Sequence, residues 1–152
     1  MNENLEKRNQ ALANTVIKGL KSRNMTGHYA GSKEEALKLA LELIPEGSTI
    51  AMGGCTSAHE IGLINALENG NYHYLDREKM DAREGLMAAY DADIFLSSAN
   101  AQRFDIKTPC KETGKCFNCK SPDTICCQFL ITRYSRHTDR IHVILVNENL
   151  GF

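Results

Sequence analysis

The hydrophobic positions at the start of the chain recur at roughly helical intervals among charged residues. These positions are Leu5, Leu12, Val16 and Leu20. The spacing predicts a surface helix over residues 3–23. The short stretch 25–30 (MTGHYA) that follows is typical of a strand. The chain therefore opens with a helix followed by a strand.

Two later segments carry a helix-start pattern, a serine followed three residues later by a glutamate. Ser32 with Glu35 opens the first of these predicted helices, and Ser57 with Glu60 opens the second. In such a capping box each side chain bonds a free backbone N–H of the first turn. The second helix is predicted to end at Gly70.

Short apolar runs between the helices predict buried strands. The runs cover 48–54, 72–75 and 92–99, and two further runs, 127–134 and 140–148, follow a cysteine-rich stretch. Because strands alternate with helices, the sequence predicts an α/β fold with a mainly parallel sheet. We expect a single domain over 1–152, divided into an α/β core (1–100), a cysteine-rich loop (101–127) and closing strands (128–152).

Charge and length limit the classes of partner. The 152 residues carry a formal net charge of −1, so no strong field attracts nucleic acid or an anionic membrane. No apolar run approaches the roughly 20 residues that span a bilayer, and the polar N-terminal segment does not resemble a signal peptide. We therefore expect a cytoplasmic protein. In that reducing compartment, clustered cysteines favour metal binding or redox chemistry over structural disulfides.

Paired glycines stand between a predicted strand and the helix start at Ser57. Gly53 and Gly54 let the backbone approach an anion at the carboxyl end of a strand, and Ser57 adds a hydroxyl. The alternative is a tight strand-to-helix turn without a ligand. Glu60 is a candidate catalytic carboxylate at the mouth of a pocket, or it only reaches back to the helix start.

The cysteine-rich loop supplies four thiols at a spacing that suits one tetrahedral ion. These candidate metal ligands are Cys110, Cys116, Cys119 and Cys126. Soft thiolates favour zinc or an iron–sulfur cluster, and cysteines alone do not distinguish the two, although zinc is the leading expectation. A reversible dithiol and a set of unliganded thiols remain as alternatives.

Several segments in order along the chain resemble the LUD-domain family, the lactate utilization protein C-like proteins. They are PEGSTIAMGGCTSAHEIG, NYHYLDRE, DADIFLSSANA, KTPCKETGKCFNCKSPDTIC and RIHVILVNENLGF. The cysteine stretch resembles the branch of this family that is common in anaerobic bacteria. The resemblance implies a Rossmann-like fold similar to ribose-5-phosphate isomerase and CoA transferases. It also implies a link to the oxidation of lactate to pyruvate, beside iron–sulfur partner proteins.

The resemblance also places residues. Gly53 and Gly54 match the glycine turn of the family, and Glu60 matches its helix-start glutamate. Arg77 stands in its LDR step, and Asn100 stands near the end of a strand. Both are candidate ligand-binding residues, with Arg77 as the counter-charge for an anionic ligand. Relatives have a hairpin, a strand and a long helix where this sequence runs directly from SSANA to the cysteine loop.

Loss of a central strand is expected to expose apolar edges. Either partner chains, including further copies of this one, cover them, or the protein is a reduced remnant, or the sequence lacks a segment of the natural protein. The leading hypothesis is a LUD-domain protein that binds a small organic acid or a phosphorylated ligand at 53–60. The rival is a non-enzymatic metal-bearing accessory subunit of an electron-transfer complex. Nucleic-acid binding is disfavoured by the charge.

Overall fold

The computed structural model describes residues 3–53, 55–76, 79–98 and 139–150. Within these ranges it has five helices and five strands. The helices are α1 (Glu3–Lys21), α2 (Lys33–Leu43), α3 (Thr56–Glu60), α4 (Leu63–Asn69) and α5 (Ala82–Asp91). The strands are β1 (Thr26–Ala30), β2 (Thr49–Met52), β3 (His73–Tyr74), β4 (Ile94–Leu96) and β5 (His142–Val146).

The described strands form two parallel sheets. In one, β2 lies between β3 and β4, and in the other β1 pairs with β5. Helices separate the strands along the chain, which is the connection that parallel pairing requires. The predicted α/β fold with parallel strands is therefore confirmed. The strand predicted at 127–134 and the loop at 101–127 lie outside the described residues.

The core lies between β2 and helices α2, α3 and α4. Ile50 on the central strand and Leu67 on α4 are fully buried, and Cys55, at the start of α3, is buried among the same apolar side chains. Burial of a large aliphatic side chain contributes about 1.5–3 kcal/mol, so these contacts hold α3 and α4 against the sheet. The end of β2 is thereby fixed relative to α3.

Helix α1 contacts the sheet through its last turns. Leu20 is fully buried, whereas Leu5 and Leu12 are 40% and 58% exposed, so the apolar stripe predicted for this helix is buried only in part. The C-terminal half of the helix approaches β1 closely at Gly27. A Cβ added to Gly27 on β1 would lie 2.8 Å from Ile17 Cγ1 and 2.9 Å from Leu20 Cδ1, so glycine lets the C-terminal half of α1 lie directly on β1.

The two predicted helix starts differ in outcome. Ser32 is the N-cap of α2, its hydroxyl oxygen accepts a bond from the Glu35 N–H at 3.3 Å, and the Glu35 carboxylate reaches back to the Gly31 N–H at 2.7 Å. This prediction is confirmed. The second was wrong, because Cys55 is the N-cap there and Ser57 lies inside the helix.

The helix predicted to run from Ser57 to Gly70 is interrupted. It forms α3 and α4, separated by Ile61 and Gly62, and the φ of Gly62, +79°, is left-handed. A residue in this conformation ends one helix and starts another in a new direction. Glu60 is consequently the last residue of a short helix rather than part of the first turn of a long one.

None of the helices in the part of the chain that the structure describes is sufficiently long and apolar to span a bilayer.

Candidate functional site

The carboxyl ends of β2 and β4 meet at one edge of the three-stranded sheet. Met52 pairs in register with Leu96, and the N–H of Gly53 donates to the Leu96 carbonyl at 2.9 Å. The chain continues from these ends into the α3 start on one side and into the exposed Ser97 and Ser98 on the other. In open α/β sheets this edge is the usual place for a ligand.

Gly53 serves the pairing of the two strands. Its N–H is occupied by the Leu96 carbonyl, so that amide is engaged in the sheet and not turned to a ligand. A Cβ at this position would lie 3.3 Å from the Phe95 Cζ atom, which is tight contact. The missing side chain therefore leaves room for the Phe95 ring.

The start of α3 offers polar groups beside this edge. Cys55 caps the helix without a side-chain hydrogen bond and is buried, whereas Ser57 is half-buried in the first turn. The first N–H groups of any helix lack intrahelical acceptors, so those of Thr56 and Ser57, which follow the end of β2, remain as donors near this edge. Together with two hydroxyls they form a small donor group suited to a carboxylate or phosphate oxygen.

Glu60 lies one helical turn beyond these donors. Residues three and four apart share a helix face, so Glu60 lies on the face that carries Thr56 and Ser57. The Glu60 residue is exposed, and it borders a groove of about 700 Å³ that runs along α2. Glu60 thus lies between the donors of the α3 start and this groove.

The groove has an apolar floor and an acidic rim. Its floor contains Leu37, Leu41, Ile61 and Tyr72. Its rim carries four carboxylates, Glu34, Glu42, Glu46 and Glu60, and two ammonium groups, Lys33 and Lys38. Lys38 lies 3.9 Å from Glu42 and Lys33 lies 3.7 Å from Glu148, so both ammonium groups already have carboxylate partners. An anion is therefore disfavoured in the groove.

Glu34 adds to the negative potential of the rim. A hydrogen bond from its own backbone N–H and, to a smaller extent, one from the Ser32 hydroxyl lower the pKa of the Glu34 carboxyl. The group is therefore ionised at neutral pH. The sequence pattern alone did not reveal this acidic groove, because it forms only when the α3–α4 turn lies beside α2.

A third strand contributes an acidic residue near the same sheet edge. The Leu75 N–H continues the pairing of β3 with β2 by donating to the Ile50 carbonyl at 2.9 Å, and Asp76 follows directly. The Asp76 carboxylate is 26% exposed and forms a salt bridge of 2.9 Å with Lys79. Its negative charge is thus already compensated locally.

Several predicted site residues lie outside the described residues. They are Gly54, Arg77, Asn100 and the four candidate ligands Cys110, Cys116, Cys119 and Cys126. Their roles stay predictions. Among the residues that are described, no group of three or more His, Cys, Asp or Glu side chains is arranged to hold a metal.

Comparison with known families gives one match. A family model described as the LUD domain matches residues 13–102, more than half of the chain. The matched range includes the α3 start, Glu60 and the ends of β2 and β4. No curated protein sequence and no solved structure matches the chain.

Proposed function

Because the chain belongs to the LUD domain family, we propose that it serves lactate utilization by binding a small carboxylate or phosphorylated ligand at the edge formed by β2 and β4. The observation that carries this proposal is the register pairing of Met52 with Leu96. It brings the start of α3 and the residues after β4 to one edge, where donor groups from two loops can contact one small molecule.

The anionic group of the ligand binds at the α3 start. The N–H groups of Thr56 and Ser57 and their hydroxyls donate to its oxygens, while Gly53 contributes by having no side chain between the ligand and the strand end. The engaged Gly53 amide supports this division of roles, because its proton already has an acceptor. Arg77, which lies outside the described residues, is the candidate for the counter-charge.

Glu60 faces the reacting part of the ligand. It shares the α3 face of Ser57, and the acidic rim along α2 repels the anionic end of the ligand toward the donors at the helix start. The ligand is therefore oriented with its carboxylate or phosphate at Ser57 and its other groups near Glu60. A carboxylate in that position can accept a proton from a hydroxyl such as that of lactate.

Isothermal titration with lactate, pyruvate and a sugar phosphate tests this proposal. We expect 1:1 binding of at least one ligand, and weaker binding by the Ser57→Ala and Glu60→Gln variants. Glu68→Gln is the matched control, since Glu68 is exposed on α4 and is not among the residues that line the groove. Its affinity is expected to equal that of the wild type.

Two results would contradict the proposal. One is the absence of binding for all three ligands in folded protein. The other is equal binding by the wild type, Ser57→Ala and Glu60→Gln, which would locate the ligand elsewhere.

A further inference from the structure

Two histidines face each other across β1 and β5. His28 Nε2 lies 3.0 Å from His142 Nδ1, and the ring centroids are 5.3 Å apart with the planes inclined by 23°. His142 is the register partner of Thr26, and His28 is the partner of Ile144. The two histidines are therefore diagonal neighbours whose side chains leave the same face of the sheet.

The backbone holds this pair in place on both sides. The Thr26 N–H donates to the Ile141 carbonyl at 3.0 Å, and the Asn147 N–H donates to the Ala30 carbonyl at 2.9 Å. The ladder thus extends beyond both histidines in each direction. The backbone positions of both histidines are therefore fixed before a ligand binds, and only the two rings have to rotate.

The short nitrogen–nitrogen contact requires that an N–H of one ring face an unprotonated nitrogen of the other. One imidazole donates and the other accepts, since two protonated rings would repel each other. Partial burial and, to a smaller extent, the neighbouring His142 lower the pKa of His28, which favours its neutral form. Neutral imidazole is also the form that binds transition metals.

The distance between the nitrogens restricts the geometry of an ion that both would bind. Two nitrogens 3.0 Å apart, each about 2.1 Å from one ion, subtend an angle of about 90° at that ion. Tetrahedral binding would need a separation of about 3.4 Å. An angle of about 90° fits neighbouring positions in the square or tetragonal geometries of Ni²⁺ and Cu²⁺.

We propose that His28 and His142 form a two-imidazole binding site for a divalent transition-metal ion of the Ni²⁺ or Cu²⁺ type. The ion replaces the proton shared by the two rings, and that proton moves to the far nitrogen of the ring that carried it. Within the described residues no third His, Cys, Asp or Glu side chain joins the pair, so water or a small chelator fills the other positions.

The bound ion would fasten β5 to β1. The two ligands are 114 positions apart in sequence, so one ion links distant parts of the chain. An ion that binds only the folded chain stabilises it by mass action. Metal loading is therefore expected to raise the thermal midpoint of unfolding.

Titration with Ni²⁺–nitrilotriacetate tests the site, because this complex leaves two neighbouring coordination positions open and does not oxidise thiols. We expect 1:1 binding to the wild type. In proton NMR spectra of the wild type, the imidazole signals of His28 and His142 should broaden at lower nickel concentrations than those of His59 and His73. This readout needs no variant to fold.

Substitutions separate the pair from other ligands in the chain, including the cysteines. Each of His28→Gln and His142→Gln is expected to weaken binding by about tenfold or more and to abolish the nickel-dependent rise of the thermal midpoint. His59→Gln is the matched control, because His59 is exposed on α3. It should bind nickel as the wild type does.

Three outcomes would overturn the proposal. They are no binding up to millimolar complex, equal binding by the wild type and both glutamine variants, and a loss confined to one of those variants. The last outcome would mean that a single imidazole binds the ion without the other.

Discussion

Gly53 and Leu96 are joined by a hydrogen bond of 2.9 Å at the point where two parallel strands end. This bond extends the pairing of β2 with β4 by one residue beyond Met52. The bond fixes the position of the α3 start relative to the residues that follow β4. The geometry of the candidate site thus depends on pairing between segments that are more than forty positions apart. At the opposite end of these strands, the Thr49 N–H donates to the side-chain carboxylate of Asp93, which is 44 positions away.

Gly27→Ala is expected to lower the free energy of unfolding by about 1–3 kcal/mol, because overpacking forces neighbouring groups apart. The new Cβ would lie 2.8 Å from Ile17 Cγ1 and 3.2 Å from the Ile17 Cα, and the latter atom belongs to the α1 backbone. Urea unfolding followed by circular dichroism measures the loss.

Gly19→Ala is the matched control for that substitution. Gly19 is inside α1, and a Cβ there would meet nothing within 4 Å. Alanine in a helix interior is favoured over glycine by about 0.5–1 kcal/mol, so this variant should be more stable than the wild type. Equal effects of the two substitutions would contradict the close approach of α1 to β1.

Gly62→Ala is expected to destabilise the protein by about 1–2 kcal/mol, because an L-residue with a side chain is strained in the left-handed region. The φ of Gly62 is +79°, and a Cβ there would meet nothing within 4 Å, so the loss would come from the backbone alone. Gly62→Asn should lose less, since asparagine tolerates this conformation better. Thermal unfolding of both variants distinguishes backbone strain from crowding. If crowding were the cause, the larger asparagine side chain would destabilise the protein more than alanine does.

Ser32→Ala is expected to cost about 1 kcal/mol, the usual effect of losing an N-cap. The hydroxyl that it removes accepts the Glu35 N–H at the start of α2. Thr15→Ala provides the contrast, since the Thr15 hydroxyl donates to the Ala11 carbonyl inside an exposed helix. That substitution should raise stability by up to about 0.7 kcal/mol. If Ser32→Ala left the free energy of unfolding unchanged, the N-cap would not be formed in solution.

The stability of the protein should fall in mildly acidic solution because of His28. Its pKa is lowered from 6.5 in the folded state, so between the two pKa values the unfolded chain binds more protons than the folded one. The contribution is therefore complete above pH 6.5 and decreases as the pH falls through the lower folded-state value. His28→Gln should flatten this part of the curve of unfolding free energy against pH, which urea unfolding at a series of pH values measures.

Anaerobically purified protein is expected to contain one equivalent of zinc, held by Cys110, Cys116, Cys119 and Cys126. Elemental analysis and a visible absorption spectrum measure the metal. Cys119→Ser should lose the zinc, whereas Cys55→Ala should retain it, because Cys55 lies in the apolar core. A brown protein containing iron and sulfide would instead favour the electron-transfer accessory subunit, and metal-free wild type would contradict both.

Local patterns predicted most elements of the fold, but one pattern had two outcomes. Ser32–Glu35 and Ser57–Glu60 have the same spacing, yet only the first is a helix start. At the second, burial of Cys55 in the core fixes the helix start two residues earlier, which is a tertiary effect that the spacing does not contain.

Contacts between distant strands could not be predicted from local sequence. Nothing near His28 indicates that His142 will lie beside it, because their strands pair only in the finished fold. The acidic groove likewise needs the turn at Gly62 to lie beside α2. The family resemblance made Glu60 a candidate site residue, but it did not predict the groove along α2 that Glu60 borders.

The pairing of β1 with β5 has a consequence for synthesis of the protein. The backbone groups of β1 that bond β5 remain without these partners until residue 146 has emerged from the ribosome. That residue is more than a hundred positions after β1. A nascent chain with an open strand edge is prone to associate with other chains. We therefore expect chaperone dependence during translation to be greatest before β5 emerges.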